Sequence, residues 1–379
     1  MTLRLEGIQF RDFRSYEMLS LDGLDGLTVL VGPNAAGKTN VIEGMQLVTA
    51  FGSFRNSTAN ELIRWGRPSA RLAVHAVSST RDLTIAADIR PQSRSYTLNG
   101  KKKAAQDLQG LMPSVVFSPD DLVLAKGPQA RRRAALDLLG CQLSRNHRII
   151  KRDFERLVKH KNALLKEDAS ALLVESVNDM LVPSAVQLYL YRAALVSNLA
   201  SRMADAYAEL SGGCERVEAS YVPSWESDQV RAAAQAAPIA FSYTKEAASH
   251  ALSAALRARC AEERVRRRSV VGPHHDRLEF FIDGRNATSF ASQGQQRSLV
   301  LAWKIAEVGI MREMLDVSPI LLLDDVMSEL DASRRRALVG LLAEGMQTFI
   351  TATDTSCFDG SLMGRARVIE LERAGRWGR

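Results

Sequence analysis

Residues 32–39 read Gly-Pro-Asn-Ala-Ala-Gly-Lys-Thr and fit the pattern G-x-x-x-x-G-K-[ST], whose chemistry is the holding of phosphate. Gly32 and Gly37 let the backbone wrap until successive N–H groups point inward at phosphate oxygens. Lys38 adds a point charge and Thr39 offers a hydroxyl to Mg2+. The helix that follows turns its N-terminus toward the anion. A nucleoside triphosphate, ATP first among them, is expected on Gly32, Pro33, Asn34, Ala35, Ala36, Gly37, Lys38, Thr39 and Asn40.

A second chemical group lies almost three hundred residues away. Ile320-Leu321-Leu322-Leu323 is a continuous apolar run, as expected for a strand buried on both faces of a parallel sheet. Asp324 and Asp325 follow at the strand's C-terminal end, where open α/β sheets place their ligands. Asp324 is expected to share Mg2+ with Thr39, and Asp325 to orient or deprotonate the attacking water. Lys38, Asp324 and Asp325 are thus the expected catalytic residues. Ser292-Gln293-Gly294-Gln295 reads locally as a capping box, S-x-x-Q. The same geometry presents a helix N-terminus, a serine hydroxyl and a glycine backbone to a γ-phosphate.

These groups need a frame. Leu27–Val31 is the strand before the phosphate loop, and Asn40–Val48 the helix after it. Ser15–Leu21, Leu72–Val77, Leu83–Ile89 and Ser95–Leu98 are strand-like, the last three as an antiparallel meander ending at the Asn99-Gly100 turn. Val115–Phe117 is a further short strand. From Gln129 to Ser211 the chain is helical in pattern. Leu136, Leu143, Ile150, Leu157 and Leu164 recur every seven residues, and Val174, Leu181, Leu188 and Leu195 do so again. The spacing predicts two long helices folded into a short arm, with Lys166-Glu167-Asp168 as the break. Cys214–Val222 returns to strand and Ala247–Arg268 to helix. Leu278–Asp283, Pro319–Leu323, Thr348–Thr353 and Arg367–Leu371 are strands, and Leu299–Leu315 is an amphipathic helix. The two ends of the chain must therefore meet, which makes the helical middle an insertion.

The 379 residues suffice for two domains, or for one with a large insertion. Charged residues are 25% and hydrophobic ones 46%, the balance of a soluble globular protein. No apolar run approaches the roughly 18 residues of a membrane span, and the charged N-terminus does not read as a secretory signal. Cys141, Cys214, Cys260 and Cys357 are scattered without metal or disulfide spacing, which points to reduced thiols in the cytoplasm. A net charge of +7 is compatible with a nucleic-acid partner.

Taken in order, the phosphate loop, Ser-x-Gly-Gln segment, apolar run with two acids and Ser328-Glu329-Leu330-Asp331 resemble an ABC-type ATPase head. Phe10-Arg11-Asp12-Phe13-Arg14-Ser15-Tyr16 is similar to the SMC-like, chromosome-maintenance branch. Within that branch the chain resembles the RecF family of bacterial recombination mediators. Ser118-Pro119-Asp120-Asp121-Leu122, Gly272-Pro273-His274 and Phe290–Arg297 carry this last resemblance.

The resemblance implies an α/β fold: an ABC-type ATPase head with a mixed sheet, an antiparallel β meander and an inserted α-helical arm. It places the head in residues 1–125 plus 271–379 and the helical lobe in 126–270. ATP would be held by the phosphate loop of one copy and Ser292, Gly294 and Gln295 of another, with Asp331 crossing between them and Arg14 touching the nucleotide. Binding would join two heads and hydrolysis release them. Double-stranded DNA near single-strand gaps, RecR and RecO are the implied partners, recombinase loading the implied purpose, and a cytoplasmic, nucleoid-associated site the implied location.

The chain departs from the patterns it resembles in three places. Asp325 stands where most ABC heads carry Glu, so slow turnover is expected, and the resemblance implies that DNA stimulates it. Thr351-Ala352-Thr353-Asp354 occupies the strand end that usually bears a histidine, and His275 and Arg277 break the Arg-Asp-Asp run expected after His274 in RecF relatives. Arg131, Arg132 and Arg133, with Arg55, are candidates for DNA phosphates, as are Lys101–Lys103, Arg264 with Arg266–Arg268, and Arg334–Arg336. The alternative is the nucleotide-binding subunit of an ABC transporter, which would carry the missing histidine. A small-molecule kinase would need neither Ser292 nor Asp331.

Overall fold

The computed structural model describes residues 3–24, 26–55, 57–327, 330–331, 334–335, 338, 340, 345–355, 358 and 363–371. Asn56, Ser328, Glu329, Arg336 and Cys357 lie outside the described residues. Contacts divide the chain into two compact units, Met1–Asp121 with Glu307–Arg379, and Leu122–Ala306.

The first unit holds two sheets. Strands β1 (Arg4–Phe13), β2 (Tyr16–Asp22), β4 (Ala70–Val77), β5 (Asp82–Arg90), β6 (Ser93–Leu98) and β7 (Lys101–Lys103) form an antiparallel sheet in the order β2-β1-β4-β5-β6-β7. β1 does not stand out in the sequence because its alternation slips at a bulge between Leu5 and Gly7. Strands β3 (Leu27–Val31), β8 (Ser114–Phe117), β12 (Ile320–Asp324), β13 (Thr348–Ala352) and β14 (Arg367–Glu370) form the second sheet, β14-β3-β13-β12-β8, in which every pairing is parallel. Val29, Leu30 and Leu321–Leu323 are all fully buried, as a parallel sheet covered on both faces requires. Helix α1 (Lys38–Thr49) packs between the sheets, and the short helices α2 (Ala59–Leu62) and α3 (Ala105–Leu108) close the loops.

The second unit begins with α4 (Val123–Lys126), α5 (Gln129–Leu143), α6 (Arg145–Lys166) and α7 (Ala171–Ser211). One expected helix is thus two. Ser144 leaves helical geometry and its hydroxyl accepts from the His147 N–H, capping α6. The first leucine row therefore splits between α5 and α6, while Val174, Leu181 and Leu188 stay in the core of a 41-residue α7. Pro183 sits on the exposed side of α7, away from that seam. The expected helix at 247–268 is also two, α9 (Lys245–Ala258) and α10 (Cys260–Arg266), parted at Arg259. Strands β9 (Val217–Val222), β10 (Arg277–Ile282) and β11 (Arg285–Asn286) make a small antiparallel sheet beside α8 (Asp228–Ala236) and α11 (Ala287–Phe290). Helix α12 (Gln293–Leu315) carries the chain from the second unit to the first. It is buried around most of its circumference, not on one face, with Leu301, Trp303, Val308 and Met311 all enclosed.

A polar network fills the second unit's core. Asp137 accepts from Arg192 Nε at 2.8 Å and a second guanidinium N–H at 2.7 Å, with His147 Nε2 at 3.1 Å. Arg192 also donates to Pro273 O at 2.6 Å, and Asp276 accepts from Tyr221 and from the Ser224 N–H. The altered segment at 272–277 is therefore a buried hub. Neither ring nitrogen of His274 has a partner among the described residues. Burial, then the charges of His275, Arg133, Lys161 and Arg192, push its pKa down to about 2. The folded chain keeps His274 neutral while the unfolded chain protonates near pH 6.5. Stability from this group is present above that pH and lost as pH falls. Between pH 6.5 and 5 the loss should be about 2 kcal/mol. His274→Phe should flatten the pH dependence by that amount in urea melts; an unchanged profile would exclude His274 as its source.

Candidate functional site

In the first unit, β3 delivers the chain into the phosphate loop and the loop's glycines are fixed by contact. A Cβ on Gly32 would meet the Leu371 carbonyl at 2.5 Å. Gly37 has φ +96°, and a Cβ there would meet the Tyr16 hydroxyl at 2.6 Å. That hydroxyl donates to Ala36 O at 3.2 Å, and its pKa is pushed up to about 12 by burial. Lys38 Nζ is turned back onto the loop, donating to Gly32 O at 2.7 Å and Pro33 O at 3.1 Å. Asn40 donates to Ser15 Oγ at 3.0 Å, which ties the loop's helix to the β1–β2 turn.

Thr39 Oγ1 donates to Asp324 Oδ1 at 3.0 Å, and Thr351 Oγ1 donates to the same oxygen at 2.9 Å. Thr351 Oγ1 also accepts from the Asp325 N–H at 2.9 Å. The neighbouring β3, β13 and β12 therefore bring loop and acids together at their C-terminal ends, with Thr351 setting both acids. Burial raises the pKa of Asp324 and the Asp325 charge adds to this; the Thr351 and Thr39 hydroxyls and Arg55 oppose it. Asp325 has φ +53°, an unusual backbone for a non-glycine residue. A hydroxyl and a carboxylate this close suit a hard, oxygen-seeking cation that keeps most of its water.

Arg14 is held by protein groups. Its guanidinium grips Glu43 through two N–H···O contacts of 2.9 Å and donates to Glu61 O at 2.7 Å. Glu43 is fully buried; burial would raise its pKa, but Arg14, Ser53 and Ser57 lower it on balance. Arg55 lies 3.8 Å from Glu43 and 3.5 Å from Asn40 Oδ1, beside the phosphate loop's helix.

In the second unit, Ser292 and Gln295 cap α12 reciprocally: the Gln295 N–H donates to Ser292 Oγ at 3.2 Å and the Ser292 N–H to Gln295 Oε1 at 2.8 Å. Gln295 Nε2 then donates to Glu215 Oε1 at 2.7 Å, whose other oxygen accepts from the buried Tyr207 hydroxyl at 2.7 Å. The last turn of α7 thus supports the Ser292 turn. Ser292 is exposed and Gly294 half-exposed. Asp331 is exposed and accepts from the Arg334 N–H at 2.9 Å.

Arg132 is corrected as a DNA candidate. It is fully buried, pairs with Glu279 at 3.3 Å and donates to the carbonyls of Leu124, Ala125 and Leu278. Arg133 is half-buried and donates to Asp276 O at 2.7 Å, leaving Arg131 as the exposed member of the run. Glu43, Thr351 and Glu215 are the residues that sequence did not single out for this site. Among the described residues no helix is long and apolar enough to cross a membrane.

A family model, the RecF/RecN/SMC N terminal domain, matches residues 4–370. The chain is 33% identical to the DNA replication and repair protein RecF of Moorella thermoacetica, over 98% of this chain and 95% of that protein. It is 36% identical to the protein of that name from Symbiobacterium thermophilum, over 92% and 91%. A solved structure of the recombination mediator protein RecF with ATP, described as of the RecFOR pathway, superposes with TM-score 0.84 at 25% identity, covering 94% of each chain. An Smc head domain from Pyrococcus furiosus shares the fold, with TM-score 0.52 at 15% identity over 98% and 95% of the two chains.

Proposed function

The chain belongs to the RecF family within the RecF/RecN/SMC class of proteins, and from that premise we propose that it is an ATP-dependent DNA-binding protein of recombinational repair. ATP would lie on Gly32–Asn40, with the Lys38 ammonium moving from the loop carbonyls to the β- and γ-phosphates. Arg55, 3.5 Å from Asn40 Oδ1, would serve the phosphates more than DNA. Arg14, through Glu43, fixes the helix that carries the loop. Mg2+ held by Thr39 and Asp324 would neutralise charge on the phosphate oxygens. Asp325, aimed by Thr351, would orient the attacking water with a side chain one methylene shorter than glutamate, and we infer slow, DNA-stimulated turnover.

Ser292, Gly294 and Gln295 would complete the site on a second copy, with Asp331 beside the junction. On this reading the functional head is residues 1–125 plus 271–379, and 126–270 is the inserted lobe. ATP would join two copies on duplex DNA near single-strand gaps, and hydrolysis would part them. The implied partners are RecR with RecO, in the cytoplasm at the nucleoid. The observation that carries the proposal is the 3.0 Å contact of Thr39 with Asp324, which unites two motifs 285 residues apart.

Sedimentation with ATP tests the joint. Wild type should dimerise, whereas Ser292→Arg should keep its ATP affinity within about twofold and stay monomeric, since the added side chain fills the γ-phosphate's place on the opposing face. If Ser292→Arg dimerises normally, the composite site is wrong.

A further inference from the structure

Helix α6 carries a basic stripe that its leucine seam conceals. Arg145, Arg148, Arg152, Arg156, Lys159 and Lys166 are spaced three, four, four, three and seven residues apart. At 3.6 residues per turn these positions fall within a sector about 80° wide, and the stripe runs for about 32 Å. The buried residues of α6, among them His147, Phe154, Val158 and Lys161, lie on the opposite side. The stripe is therefore the solvent face. The side chains of Arg152 and Arg156 are 66% and 79% exposed.

A second basic run, remote in sequence, is fixed against this helix. Lys161 Nζ meets Glu263 Oε2 at 2.6 Å, with both residues fully buried. The Ser269 N–H donates to Asn162 Oδ1 at 2.7 Å, and Arg264 reaches Asp168 at 3.3 Å and Ala169 O at 3.2 Å beyond the end of α6. These contacts dock α10 on the buried side and the C-terminal end of α6, with Arg266 and the following Arg267 and Arg268 exposed. Residues 145–168 and 260–268 together hold twelve Lys or Arg and six Asp or Glu, whereas the whole chain has 50 and 43. These two segments thus carry six of the chain's seven excess positive charges. Asp153 is shared between Arg152 and Arg156 at 3.3 and 3.8 Å, and Glu155 pairs with Lys151, which lies beside the stripe.

We propose that the exposed basic face of α6 is where the chain holds the phosphate backbone of a DNA duplex. The claim rests on the duplex-binding reading above and gives it a location. A straight row of cations about 32 Å long matches one turn of B-form DNA, about 34–36 Å. Arginine predominates, and its planar fork suits phosphate oxygens. An acidic protein partner would need apolar anchors at the centre of its footprint. Here Val265 is the one large exposed hydrophobic residue among the described residues of α6 and α10. Contacts of this kind position DNA without reading its bases.

The test is a titration of a fluorescein-labelled blunt duplex, about three helical turns long, with wild type and the triple variant R152Q/R156Q/K159Q, from about 50 to 200 mM salt. Each neutralised phosphate contributes about 0.9 to the slope of log affinity against log salt, so three lost contacts should flatten it by about 2 to 3. Affinity at low salt should fall at least about tenfold. R152K/R156K, which keeps the charge, should retain most of the slope. Thermal melting and ATP titration of each variant establish that the fold and the nucleotide site are intact. A triple variant with wild-type affinity and slope overturns the α6 face as the site while leaving duplex binding itself intact. A variant that loses RecR but keeps the duplex overturns it in favour of a protein partner. A wild type that ignores the duplex at low salt overturns the duplex-binding reading and this location with it.

Discussion

Lys38→Met is expected to abolish triphosphate binding at ordinary nucleotide concentrations. Lys38 is nearly buried, at 7% exposure, and its ammonium lies within 2.7 and 3.1 Å of two loop carbonyls. On binding, the ammonium would exchange these two carbonyls for the β- and γ-phosphates without leaving the loop. Truncating one side of a desolvated, hydrogen-bonded charge pair costs about 2–5 kcal/mol. That is a loss on the order of 30- to several-thousand-fold in Kd. Methionine matches the length and apolar stem of lysine, so the loop should keep its shape. Calorimetric titration with a non-hydrolysable ATP analogue measures the effect, and binding within about threefold of wild type would remove Lys38 from the site. Paired with Ser292→Arg, the measurement separates the two halves: one variant should lose the ligand, the other only the second copy.

Asp137→Ala should produce the largest loss of stability, about 3–5 kcal/mol. The substitution strips Arg192 of both carboxylate contacts and leaves its buried guanidinium, among the described residues, with the Pro273 carbonyl and the Tyr221 hydroxyl. Against a typical total of about 5–15 kcal/mol, such a change is severe. The defect should depend on pH. Burial alone would raise the Asp137 pKa, but the Arg192 charge, helped by His147, holds the carboxyl well below the usual range. A depressed carboxylate contributes its stability above the unfolded value, near pH 4, and loses it as pH falls further. Wild type and variant should therefore differ fully at neutral pH and converge in acid. The pair Asp137→Leu with Arg192→Met should recover most of the loss, because it removes both charges from the interior. Urea midpoints for the three proteins decide the matter; an Asp137→Ala midpoint equal to wild type would show the network to be idle.

The nucleotide side of the site was legible because its information is local. Gly32, Gly37, Lys38 and Thr39 lie within eight residues, and the apolar run before Asp324 announces a buried parallel strand. Glu43, Thr351 and Glu215 were not legible, because each acts on a residue far along the chain. Arg14 is 29 positions from Glu43, Asp324 is 27 from Thr351, and Gln295 is 80 from Glu215. The Arg131–Arg133 run misled for a simple reason: successive helical side chains point about 100° apart, so one of three adjacent arginines had to turn inward. Arg132 did, and Glu279 neutralises it there. The α6 stripe was hidden by the opposite error. Its arginines are never adjacent, so no dense run marked them, and only the helix brings them into line.

The order of strands in the parallel sheet also sets a schedule for synthesis. β3 and β8 precede the 122–306 unit, while β12, β13 and β14 follow it, and Leu27 waits for Thr348 as its partner. A ribosome releases the inner unit whole while β3 still has no neighbour in its sheet. Contacts this distant in sequence form late and slowly, and until they form the strand edges stay open to other chains. Newly made protein is thus complete at its arm before it has a nucleotide site, and the window in which it is prone to aggregate lasts until the final strands emerge.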